Sequence, residues 1–153
     1  MFGLVSTYTA KVRIEHDRGP VRRGYLPAEA EPVIYGLHGP VATHYGVDES
    51  VIPPRASTLD HVVAAAAACL SGTFAAALAS RKINPRGLVT KAEGRIDTED
   101  GVLVIKRIDV AYNGLQLTPE QRPAAEEVLA THAKQCPVAR SLEGAVEIST
   151  RIA

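Results

Sequence analysis

The sequence predicts an α+β domain with the element order βββ-α-ββ-α-β. Strand-like alternation recurs in neighbouring segments joined by turn signals, two helix patterns interrupt it, and no βαβ unit repeats. The 153 residues carry no repeat, low-complexity stretch or linker, and this length suits a single domain, 1–153.

The elements follow in order. Tyr8, Ala10, Val12 and Ile14 alternate with Thr7, Thr9, Lys11 and Arg13, the pattern of a half-buried strand. A charged turn, Glu15-His16-Asp17-Arg18-Gly19-Pro20, leads to two short strand candidates around Val21–Leu26 and Val33–Leu37. Glycines and prolines from Gly36 to Pro54 then read as a long loop. Ser57 or Thr58 caps the first helix, Asp60 lies at the capping-box position, and Arg81, Lys82 and Asn84-Pro85 close it. From Val62 to Ala79 only Ser71, Gly72 and Thr73 interrupt an apolar run, which as a helix is about 27 Å long. That is close to a bilayer's core, but alanine supplies little transfer free energy, so a buried helix is the better reading than a membrane span. A helix apolar on every side needs burial on every side, and a chain this short is expected to supply part of it from a second copy.

Leu88–Asp97 alternates again, and Thr98-Glu99-Asp100-Gly101 turns into Val102–Tyr112, whose apolar face is Val104, Ile108, Val110 and Tyr112. Thr118 caps a second helix with Gln121 at the capping-box position, and Pro123 loses a helical hydrogen bond if the helix begins so early. Val128, His132 and Cys136 follow at i, i+4, i+8, Cys136-Pro137 ends the helix, and Ala145–Ile152 reads as the last strand.

Composition limits the functions. Seventeen basic and seventeen acidic residues leave no formal charge, so neither nucleic acid nor an anionic membrane finds a basic face. The start, Met1–Thr7, lacks a basic leader before an apolar core, and a cytoplasmic protein is expected. No glycine-rich phosphate loop points to a nucleotide cofactor. Two cysteines are too few for a disulfide scaffold or a four-cysteine zinc site. They are the number a thiol peroxidase uses, one thiol attacking O–O and a second condensing with the sulfenic acid. The plainer reading of Cys69, in Ala67-Ala68-Cys69-Leu70-Ser71, is a small buried hydrophobe. Cys136, at a helix C-terminus, is a poor first nucleophile and a better second one.

A peroxidatic thiol also needs a cation. Taking a thiol pKa from ~8.5 to ~6 requires about 3.4 kcal/mol, more than an exposed ion pair gives. The candidates are Arg18 and Arg55, with Asp60 or Glu49 to aim the guanidinium, while Arg22 and Arg23 read as solvated strand residues. His132 and Cys136 share a helix-face spacing that metal ligands use, and His61 could add a third. No second ligand pair accompanies them, so these histidines, with His16, His38 and His44, read as core or surface residues.

The stretches Leu59-Asp60-His61-Val62-Val63-Ala64-Ala65-Ala66-Ala67-Ala68-Cys69-Leu70-Ser71 and His132-Ala133-Lys134-Gln135-Cys136-Pro137-Val138-Ala139-Arg140-Ser141-Leu142 resemble the two cysteine motifs of the OsmC/Ohr family, the osmotically induced and organic-hydroperoxide-resistance proteins. The 67-residue separation and the element order also fit. The resemblance implies an OsmC-like fold and an intertwined homodimer with the Cys69 helix at its centre. It implies Cys69 as peroxidatic and Cys136 as resolving cysteine, an organic hydroperoxide as substrate, and a dithiol such as a lipoyl protein as reductant. It also favours Arg18 over Arg55. The hydroperoxide-resistance branch opens its cysteine helix with Asn-Pro-Glu, where this chain has Ser57-Thr58-Leu59-Asp60, and the Gly36–Pro54 loop differs as well. The chain therefore resembles a divergent OsmC-like member. The alternative expectation is a dimeric small-molecule-binding or structural domain that keeps the scaffold with little turnover.

Overall fold

In the computed structural model, residues 5–153 are described and the chain's contacts fall into two units, Met1–Thr58 and Leu59–Ala153. Most of the leader stretch expected to lack a signal, residues 1–4, lies outside the described residues.

The first unit is built on a three-stranded antiparallel sheet in the order β1 (Arg13–His16), β2 (Arg22–Tyr25), β3 (Val33–Tyr35). The alternation from Tyr8 predicts a longer first strand than forms. The β2 ladder stops at Tyr25, opposite Arg13, so among the described residues no strand pairs with 7–12, and Tyr8 and Val12 are exposed. Long side chains tie the sheet together: the Arg13 guanidinium lies 4.2 Å over the Tyr25 ring, and Arg23 pairs with Asp17 at 3.1 Å. Gly24 is required, because a Cβ there would meet the Tyr35 ring at 2.6 Å. Inside the Gly36–Pro54 stretch, read as loop, lies a short helix, α1 (Gly39–His44). Pro40 fits its first turn, where no N–H is needed.

The second unit begins with α2 (Thr58–Ser80), which contains the whole apolar run. Its C-terminus is set by Lys82 rather than by Asn84-Pro85. Lys82 takes a left-handed φ of 59°, Ile83 N–H donates to the Leu78 carbonyl at 3.0 Å, and Lys82 N–H donates to Ala79 at 2.9 Å. This double closure places Ile83 in the core.

β4 (Val89–Glu99) and β5 (Val102–Asn113) form the expected hairpin over a two-residue turn, Asp100-Gly101, with φ of 50° and 79°. On β4 the face carrying Thr90, Ala92, Gly94 and Ile96 is half-buried and the alternate face through Val89, Lys91, Glu93 and Arg95 is exposed. On β5 the structure differs from strict alternation. A bulge at Lys106 makes Arg107 pair with Arg95 and Ile105 with Ile96. One extra residue reverses the face, so Ile105 joins Ile108, Val110 and Tyr112 against the core in place of Val104.

The second helical region is α3 (Arg122–Thr131), a 3-10 turn (His132–Gln135) and α4 (Pro137–Leu142), followed by β6 (Glu147–Ile152). Thr118 and Gln121 exchange the reciprocal capping hydrogen bonds at 3.3 and 3.1 Å. The regular helix starts only at Arg122, so Pro123 sits in the first turn without loss. This crossover returns β6 parallel to β5, giving a mixed sheet in the order β4-β5-β6. The antiparallel hairpin and the helices together make the α+β arrangement expected.

The core lies between α2 and this sheet. Ala66, Leu70, Phe74 and Leu78, four residues apart, are fully buried with Ile108, Val110 and Tyr112. Each large aliphatic side chain contributes about 1.5–3 kcal/mol by leaving water. The helix is apolar all round but buried along this stripe. By length and composition it is long and apolar enough to cross a membrane, and outside the stripe Val62, Ala65, Ala68, Gly72, Ala76 and Ala79 are exposed.

Candidate active site

α2 carries Cys69 near its middle, partly exposed beside the buried Leu70, with unbroken helix on either side. Thr73 Oγ1 donates to the Cys69 carbonyl at 3.0 Å. Cys136 is fully buried at the junction of the 3-10 turn and α4. Both thiols are free, and they lie near enough for Cys69 to influence Cys136 electrostatically.

The structure corrects the expected setting of Cys136. α3 ends at Thr131, and Pro137 opens a new helix rather than closing an old one. Cys136 is therefore an N-cap, and its Sγ accepts the Ala139 N–H at 3.5 Å. Burial pushes the Cys136 thiol pKa up most strongly, the Ala139 N–H opposes that rise, and contact with Cys69 adds to it. The stripe Val128, His132, Cys136 is buried throughout, although the backbone tightens from α to 3-10 between its members.

His132 is a core histidine with both ring nitrogens engaged. Nδ1 lies 3.1 and 3.0 Å from the Val128 and Leu129 carbonyls, and Nε2 lies 2.7 Å from the Tyr112 hydroxyl. Carbonyls accept only, so Nδ1 carries the proton and Nε2 accepts from Tyr112. Burial lowers the His132 pKa and raises that of Tyr112, so both are neutral at pH 7. Phe74 stacks on Tyr112, with ring centroids 4.1 Å apart. The sequence marks Tyr112 only as a strand core position. Its hydroxyl joins the neighbourhood of the cysteines through a contact twenty residues away, which no local pattern signals. Among the described residues no three His, Cys, Asp or Glu side chains converge on a metal position.

The remaining candidates lie elsewhere on the chain. Asp60, half-buried in the first turn of α2, is nine residues before Cys69. That is about 13.5 Å along the axis and half a revolution round it. In the first unit, Arg18 is exposed in the β1–β2 turn. Arg55 is exposed, and its N–H donates to the Leu37 carbonyl at 3.0 Å. Glu49 Oε1 accepts the Gly39 N–H at 2.8 Å, where α1 begins. Beside α2 and β4 runs a groove of about 570 Å³ lined by Asp60, Val63, Ala67, Ser71, Thr90 and Ile96, among others.

Comparison with solved structures finds this fold repeatedly at low identity. The organic hydroperoxide resistance protein OhrB of Bacillus subtilis has a TM-score of 0.65 at 17% identity, over 95% of this chain and 98% of that one. An OsmC-like protein from Mycoplasma pneumoniae has 0.72 at 12%, over 95% and 96%. A Legionella pneumophila protein described as an organic hydroperoxide resistance protein OsmC and predicted redox protein has 0.71 at 15%, over 97% and 99%. No curated protein matches by sequence. The family model for OsmC-like protein matches residues 54–151, which include both cysteines, and the chain belongs to that family.

Proposed function

We propose that the protein is a thiol peroxidase that reduces organic hydroperoxides. The observation that carries this reading is the pairing of Cys69 and Cys136, two free thiols near each other, on a fold shared with organic hydroperoxide resistance proteins. In this reading the Cys69 thiolate attacks the terminal peroxide oxygen. The O–O bond breaks, the alcohol leaves after taking up a proton, and Cys69 becomes a sulfenic acid. The Cys136 sulfur then attacks the Cys69 sulfur, and water leaves as the disulfide forms. A dithiol reductant, of which a lipoyl group is one kind, takes over the disulfide and restores both thiols. No metal or cofactor enters these steps.

Arg18 is the proposed cation for the Cys69 thiolate, with Arg55 as the other candidate and Asp60 or Glu49 as the carboxylate that aims it. A homodimer belongs to the same reading. The exposed small-residue face of α2, from Val62 to Ala79, gives a second copy an apolar surface on which two such helices can pack closely. The cytoplasm, where thiols are kept reduced, suits two free cysteines.

Reduced protein mixed with cumene hydroperoxide should consume about one equivalent without added reductant and turn over with dihydrolipoamide. Arg18→Ala and Arg55→Ala then identify the cation by the larger loss of kcat/KM. Thiols unchanged by excess hydroperoxide would contradict the reading. A ligand-binding or structural role would then stand, for which the groove beside α2, whose lining includes neither cysteine, is the favouring observation.

A further inference from the structure

The peroxide chemistry leaves one buried polar pair unused. Tyr112 and His132 are 0% and 2% exposed, and their hydrogen bond is 2.7 Å long. Its place in the fold gives it a purpose. Tyr112 belongs to β5 and His132 is the first residue of the 3-10 turn that hands the chain to Cys136. Phe74 of α2 stacks on Tyr112 and lies 5.0 Å from His132, centroid to centroid, so the three rings join α2, β5 and the turn. Cys136 N–H donates to Ala133 within that turn, and Cys136 Sγ accepts from Ala139 beyond it. The cysteine is thus held on its C-terminal side by a backbone N–H and on its N-terminal side by the His132 anchor. The imidazole suits the task. Nδ1 is committed to the α3 carbonyls, and burial keeps the ring neutral, which leaves Nε2 a lone pair for the Tyr112 hydroxyl.

We propose that the Tyr112–His132 hydrogen bond is a latch that seats Cys136 against Cys69, making both residues positioning residues for disulfide closure. The proposal rests on the peroxidase reading for the step it serves. In that step the Cys136 sulfur bonds to the Cys69 sulfenic sulfur, the S–O bond breaks, and the hydroxyl leaves as water with the Cys136 proton. The hydroperoxide that formed the sulfenic acid is the only oxidant, and neither Tyr112 nor His132 exchanges a proton.

The test separates closure from the first oxidation. Stopped-flow mixing with cumene hydroperoxide, with dimedone trapping of the sulfenic acid, gives the ratio of the two rates. Tyr112→Phe keeps the ring on Phe74 and removes only the hydroxyl. The ratio should fall about tenfold, the worth of one buried hydrogen bond, and His132→Leu should do the same. His132→Gln, whose amide oxygen can accept from Tyr112, should recover to within about threefold. A Tyr112→Phe ratio equal to wild type overturns the latch.

A second arm needs no peroxide. In a Cys69→Ser background, Tyr112→Phe should speed iodoacetamide labelling of Cys136 about tenfold. In a Cys136→Ser background it should leave Cys69 labelling unchanged. Equal acceleration at both cysteines means general loosening and overturns the positioning role. If wild-type protein forms no bridge with hydroperoxide, the peroxidase reading fails. The labelling arm then decides the latch alone, selective acceleration at Cys136 supporting it and none overturning it.

Discussion

Cys69 and Cys136 are near neighbours held in different ways. Cys69 rides on 23 residues of continuous helix, and its backbone position follows from the buried stripe Ala66, Leu70, Phe74 and Leu78. Cys136 stands where two short segments meet, fixed by an N–H from Ala139 ahead of it and by the His132 anchor behind it. One thiol is placed by a regular element and the other by a few specific hydrogen bonds. The difference suits a division of labour in which the first sulfur meets the peroxide and the second, seated beside it, closes the disulfide. It also teaches where mutations act: damage to α2 spreads through the core, while damage around Cys136 stays local.

The comparison can be broken most sharply at the sulfurs themselves. Cys69→Ser should abolish hydroperoxide consumption. Cys136→Ser should still consume one equivalent and hold a dimedone-reactive sulfenic acid, as peroxide assays on the two variants will show. Equal losses would mean that the thiols do not divide the work. Next in size is Phe74→Ala, which removes the ring that α2 stacks on Tyr112. It should cost about 3–5 kcal/mol in urea unfolding. A cost under about 1 kcal/mol would show that α2 is not the support described here.

Stability against pH probes the Cys136 side. Burial holds the His132 pKa below its unfolded value, so below about pH 6.5 the unfolded chain binds a proton that the folded one resists. Stability therefore falls as pH drops through that range. The Cys136 thiol is held above its ordinary value, so stability also falls as pH rises past about 8.5, where the unfolded thiol ionises first. Urea midpoints should be highest between these limits, and His132→Gln should flatten the acid side. Smallest is Pro137→Ala at the first position of α4, expected to change stability by at most about 1 kcal/mol while leaving the Cys136 N-cap in place. A larger loss by thermal unfolding would mean that the proline itself holds the cysteine.

The same contrast explains what the sequence could reveal. α2 was legible because length, caps and composition all point to one element, and the β4–β5 hairpin because Asp100-Gly101 suits a tight turn. Regular alternation from Thr90 to Ile96 matches the half-buried face of β4 residue by residue. The β5 bulge was not legible: Val104 continues the alternation, and only pairing with β4 reveals that Ile105 takes its place. The parallel return of β6 depends on contacts some forty residues apart in sequence, as between Arg107 and Glu147. Pro137 carries two opposite local meanings, a stop for the helix before it and a start for the helix after it, and the second prevails. Both cysteines were identifiable from their motifs. The Tyr112–His132 pair was not, since nothing near either residue in sequence indicates the other.

The central claim is that these two sulfurs act as one redox unit, and intact mass with peptide mapping tests it most directly. Reduced protein treated with one equivalent of cumene hydroperoxide should lose two hydrogens and yield a single Cys69–Cys136 linked peptide, reversed by a dithiol. Protein that keeps both thiols, or that oxidises at Cys69 without ever bridging to Cys136, would contradict it.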